Sequence, residues 1–188
     1  MCYPPQFMKT TLQLGVILAL LAGTLDGGGE KPKDVDGWGK IKWGMTLAEA
    51  RAAYNADAPL DEGGYYTELK LKPIEIGNLE MNVTVWAKRG TDRISVVNLT
   101  YLSLPEHRAS PSEVETLKTL LTQKYGSPTG DETEIHDGLL GQSRTRTIVW
   151  AFPSATIHLT VFQFVEDPAT GVIAIEYKAT DKKALDVL

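Results

Sequence analysis

Cysteine is nearly absent from this chain: 188 residues contain one, Cys2, ahead of the first apolar run. Removal of a leader would leave no disulfide, no thiol nucleophile and no thiolate metal site. An exported domain of this kind must be held by its core alone. Histidine is scarce too, with only His107, His136 and His158. None lies at His-x-x-x-His or His-Glu-x-x-His spacing, so the common zinc signatures are missing. There is no Gly-x-Ser-x-Gly elbow and no phosphate-cradling glycine loop. The expectation is therefore no cofactor, no metal and no catalytic residue. Basic residues are outnumbered, 19 against 24 acidic, for a net charge of −5. They are spread along the chain, which argues against nucleic acid and against adsorption to anionic lipid. Long hydrophobic runs are lacking as well. The most apolar run extends only from Leu14 to Gly23, and a spanning helix needs roughly 20 apolar residues.

That short run is nevertheless informative. Met8-Lys9, the apolar stretch and the small residues Ala22-Gly23 have the order of a secretory signal peptide. Residues 1–25 are read as that signal, with Met8 as the natural start. Leu21-Ala22-Gly23 approaches a lipoprotein box, but Thr24 stands where the lipid-bearing cysteine belongs. The expected location is periplasmic or secreted and soluble after cleavage; an uncleaved N-terminal tether is the alternative. Residues 26–37, with Gly27-Gly28-Gly29 and Pro32, read as a flexible linker. Residues 38–188 read as one domain.

Within the domain, Thr46 and Glu49 form a capping-box signature, and Leu47, Ala50 and Tyr54 fall on one helical stripe. A second helix is signalled by Ser110-Pro111-Ser112-Glu113, with the stripe Val114, Leu117, Leu121 and Tyr125 and a stop at Gly126 and Pro128. Alternating segments follow each helix: Tyr65 to Leu71, Leu79 to Ala87 and Arg93 to Leu104, then Arg144 to Phe152, Thr156 to Val165 and Val172 to Thr180. Gly130 to Gly141, rich in acids, reads as a long solvated loop. Met81 to Trp86 lies against Ile157 to Phe162, and Leu99-Thr100-Tyr101 against Ile175-Glu176-Tyr177. These matches suggest duplicated halves, 38–104 and 110–180. The expected fold is α+β: two α-β-β-β units forming an antiparallel sheet, with both helices packed on one face.

The segment Ile41-Lys42-Trp43-Gly44-Met45-Thr46-Leu47-Ala48-Glu49-Ala50 resembles the opening of the SmpA/OmlA-type envelope lipoproteins. It is also similar to the tandem modules of β-lactamase-inhibitor-protein-like fold. Lys124-Tyr125-Gly126-Ser127-Pro128 and Ile148-Val149-Trp150 resemble punctuation in secreted proteins of this type. The resemblance implies a non-enzymatic, protein-binding envelope role. The family's disulfides or lipid cysteine have no counterpart here.

A sheet face is the strongest candidate for function. One side of the Leu79–Ala87 strand carries Asn82, Thr84 and Trp86. The matching side of the later strand carries His158, Thr160, Phe162 and Phe164, and Trp150 could extend the set. Aromatics among neutral polar residues are typical of a binding surface. The face has three readings: a protein-partner surface, a second core covered by the chain itself, or a homodimer seam. Competing functions are a small-molecule or lipid carrier with an apolar cavity between helices and sheet, and a hydrolase. Trp43 is expected to pack at the helix start. The sequons Asn82-Val83-Thr84 and Asn98-Leu99-Thr100 lie within strands and are taken as chance.

Overall fold

The computed structural model describes residues 34–57, 59–88, 90–103, 110–139, 141–168 and 171–180. The signal-like segment, the glycine-rich part of the linker and His107 lie outside the described residues. A two-residue hairpin pair, β1 (Gly37–Trp38) and β2 (Ile41–Lys42), precedes α1 (Leu47–Tyr54). Four strands follow: β3 (Leu60–Gly63), β4 (Tyr66–Ile76), β5 (Leu79–Lys88) and β6 (Ile94–Ser103). Then come α2 (Pro111–Tyr125), β7 (Gly130–Gly138), β8 (Gly141–Ala151), β9 (Ala155–Phe164) and β10 (Gly171–Ala179).

Both helices begin where their capping chemistry places them. The Glu49 amide donates to Thr46 Oγ1 at 3.2 Å, and the Thr46 amide donates to the Glu49 carboxylate at 2.7 Å. At α2 the Ser110 amide donates to the Glu113 carboxylate at 2.6 Å, and Pro111 occupies the first turn, where no amide is needed. Asn55 ends α1 in the left-handed region, at φ 48°.

The eight longer strands form one antiparallel sheet in the order β3-β4-β5-β6-β10-β9-β8-β7. This overturns the expected pair of α-β-β-β units. The protein is mostly β, and each helix is followed by four strands. The missed strand in the second half is β7, whose residues were read as an acidic loop. Its residues after Gly130 are all exposed, so it has no in–out alternation to announce it. It pairs with β8 from Gly130 opposite Val149 to Gly138 opposite Gly141. As an outermost strand it keeps its acids in water, and these charges discourage pairing with another sheet edge. In the first half the missed strand of the large sheet, β3, is four residues of Leu-Asp-Glu-Gly, too short and polar to stand out, and the two-residue β1 and β2 were missed as well.

The register reveals the symmetry that relates the halves. Asn82 pairs with Thr100 and Thr84 with Asn98. At one constant offset along the chain, His158 pairs with Glu176 and Thr160 with Ala174. The final strands of the halves meet at the sheet centre, where Leu99 stands opposite its own counterpart, Ile175. Val97 faces Tyr177, and Tyr101 faces Ile173. A pseudo-two-fold axis therefore passes through the Leu99–Ile175 pair.

One side of the sheet carries the core. Leu79, Met81, Val83, Val85 and Ala87 of β5 are all buried, as are Ala155, Ile157, Leu159 and Val161 of β9. They share a single cluster with Leu47 and Ala50 of α1 and Val114, Leu117 and Leu121 of α2. An aromatic end to this core joins Trp38 to Tyr54, with centroids 6.2 Å apart, and Tyr125 to Tyr177, also at 6.2 Å. Burial pushes the Tyr177 phenol far above its ordinary range, with Tyr125 adding to the shift. Val35, assigned to the linker by composition, is buried, and its carbonyl accepts a hydrogen bond from the Trp43 indole at 2.9 Å.

Candidate functional site

The face away from the helices gathers most of the residues singled out by sequence. Asn82, Thr84 and Trp86 point from β5, and His158, Thr160, Phe162 and Phe164 from β9, out of phase with the buried positions on the same strands. Asn82 is exposed and the other six are half-buried. Trp150 does not join them. Its phase along β8 puts it on the core side, 1% exposed, with its indole N–H donating to the Gly126 carbonyl at 2.9 Å. Its flanking neighbours Ile148 and Phe152 share that phase. All three are buried.

Two aromatic clusters occupy the face. Trp86 packs against Tyr66, with centroids 6.1 Å apart, and its indole donates to Glu68 at 3.2 Å. Tyr66, Glu68 and Asp61 line a depression of about 360 Å³ beside it. Val96, directly across from Trp86, is buried although it stands outside the helix-side core cluster. In the second half, Phe162 meets Phe164 edge-on at 5.3 Å. Trp86 and Phe162 are counterparts under the repeat. Strand spacing and rise place them roughly 25 Å apart across the sheet. The rows between them are short and mostly neutral: Thr84–Asn98–Glu176–His158 and Asn82–Thr100–Ala174–Thr160.

Sequence reasoning missed Leu102 and Val172, which pair with each other beside Phe162. Leu102 is 53% exposed, an apolar side chain with little cover. Its phase relative to Thr100 was the available signal. His158 and Glu176 are cross-strand neighbours on this face. Among the described residues no three His, Cys, Asp or Glu side chains group to hold a metal ion. No helix among them is long and apolar enough to cross a membrane.

A second, smaller feature lies on the helix side. Where an apolar cavity between helices and sheet was considered, an open groove of about 680 Å³ runs between α2 and β7–β9. At its margin Arg146 donates to Asp131 at 2.9 Å through both Nε and Nη2, and to Glu115 at 2.7 Å. Lys118 donates to Asp131 at 2.7 Å. These hydrogen bonds hold the Asp131 carboxyl well below the usual carboxylate range and raise the Arg146 guanidinium. Because the folded-state value is depressed, the network's stabilisation is present above the unfolded value of about 3.9 and is lost as pH falls below it. Denaturant titrations should show stability declining from about pH 4 downward. Asp131→Asn should flatten that decline and cost about 1 kcal/mol at pH 7, a modest figure because the network is solvated. A variant that keeps the full acid-side slope would contradict this assignment.

Comparison of the chain with protein-family models, with curated proteins and with solved structures yields no match.

Proposed function

We propose that this chain is an exported, non-enzymatic protein-binding module of the bacterial cell envelope, an assembly factor, scaffold or inhibitor, which engages its partner through the helix-free sheet face. The observation that carries this reading is the pair of aromatic clusters around Trp86 and Phe162, joined on one surface by rows of Thr, Asn and Ala with His158 and Glu176, and with Glu68 and Asp61 beside Trp86. Aromatic anchors ringed by neutral polar groups lose little on desolvation and supply most of the energy at interfaces. Their separation of roughly 25 Å suits one partner covering both, since a standard interface takes about 800 Å² from each side. The signal-like start supports export, and the short resemblance to envelope lipoproteins and inhibitor-like modules points the same way.

Site-specific photo-crosslinking in the periplasm tests the face directly. A benzophenone side chain at Thr84 or at its repeat counterpart Thr160 should yield one discrete heteromeric adduct. The same group at Thr119, exposed on α2, should yield none. Adducts from position 119 alone would place the contact on the helices and remove the proposal. An adduct the size of two copies of this chain would favour the homodimer seam.

A further inference from the structure

The groove beside α2 marks the place where the second half abandons the pattern of the first. Under the repeat, Leu69 opposite Val85 corresponds to Arg146 opposite Val161, and Thr67 opposite Ala87 corresponds to Arg144 opposite Gln163. Leu69 is fully buried in the core, but its counterpart is a guanidinium. An arginine on the core side of a sheet is costly unless its charge is answered. Arg146 is answered by Asp131 and Glu115. Arg144, one step nearer the groove mouth, is exposed and makes no hydrogen bond or ion pair with the described residues.

The cross-strand rows define the floor: Ile135–Arg144–Gln163, then Thr133–Arg146–Val161. Pro111 and Val114 at the start of α2 form the apolar wall. Ile135 is 55% exposed, a large aliphatic side chain directly across from Arg144. The groove thus pairs an apolar strip with one positive charge that has no partner among the described residues, because the Lys118–Asp131–Arg146–Glu115 network is neutral as a set. Its volume is in the range of small-molecule sites.

We infer that this groove binds a small amphipathic carboxylate, with its hydrocarbon against Val114, Val161 and Ile135 and its carboxylate on Arg144. A planar guanidinium matches a carboxylate with two parallel hydrogen bonds, and a single unpaired cation calls for a monoanion. The site is separate from the sheet face, on the opposite side of the sheet.

Calorimetric titration of the full chain with decanoate, below its micellar concentration, tests the inference. Saturable one-to-one binding is expected, with decanol at least tenfold weaker. Arg144→Thr, which installs the residue of the repeat counterpart Thr67, should weaken decanoate at least tenfold. Thr133→Trp, on the exposed edge strand, should fill the groove and block binding, and circular dichroism establishes that the variant is folded. Trp86→Ala should bind as wild type. The inference is overturned by the absence of saturable binding, by decanol binding as well as decanoate, or by undiminished binding to Arg144→Thr. Loss of binding in Trp86→Ala would also overturn it, by moving the ligand to the sheet face. Because the Arg144 and Trp86 variants address different surfaces, failure here leaves the partner-binding proposal separately testable.

Discussion

Trp150→Ala should destabilise the protein by about 3–5 kcal/mol, the range for truncating a large buried aromatic. Three consequences of the side chain's position add up. The indole is 1% exposed, so truncation leaves a cavity in the helix-side core. Its N–H satisfies the Gly126 carbonyl at the end of α2, an acceptor that α2 itself leaves open. Trp150 also pairs with Ile157 across β8 and β9, so the cavity opens beneath two strands of the second half. Urea denaturation followed by circular dichroism measures the loss. Trp150→Phe should recover most of the packing but not the hydrogen bond, and so fall between wild type and alanine. An alanine variant within 1 kcal/mol of wild type would contradict the core placement, and would return Trp150 to the sheet face.

The same residue shows what could and could not be read from sequence. The helices were legible because their ends are written in local chemistry: Thr46 with Glu49, Ser110 with Glu113, and Gly126. Strands β5 and β9 were legible because buried and solvent-facing residues alternate without interruption. The segments matched by sequence, β5 with β9 and Leu99 with Ile175, hold equivalent places in the sheet register, where core packing constrains both halves alike. β7 was not legible, because an edge strand paired on one side and solvated on both faces needs no hydrophobic period. With β7 and β3 unrecognised, the strand count per half fell short and the fold class was misjudged.

The site was partly legible for the same reason. Asn82, Thr84 and Trp86 inherit their direction from the clean period of β5. His158, Thr160, Phe162 and Phe164 inherit theirs from β9. β8 offers no such guide, since its core-facing positions change from Arg144 and Arg146 to Ile148 and Trp150 along its length. That change of character also conceals the groove. Two arginines in core phase look like a solvated face until the register sets them opposite Val161 and Gln163. The Leu102–Val172 pair was hidden by distance in sequence, because it exists only through the β6–β10 pairing.

The face itself carries the other large effect. Trp86 and Phe162 are counterparts on opposite halves, and each is the centre of its aromatic cluster. Interface anchors of this kind cost about 2–4 kcal/mol each when truncated, so the double variant should lose on the order of a thousandfold in affinity or more. Stability should change far less, because both rings lie outside the helix-side core cluster. The most direct measurement is therefore the affinity of the crosslinked partner, once purified, for wild type and for the Trp86→Ala, Phe162→Ala double variant, with thermal unfolding recorded on the same samples. The expected result is a variant that remains folded and no longer binds; a folded variant that holds the partner as tightly as wild type would contradict the sheet-face account.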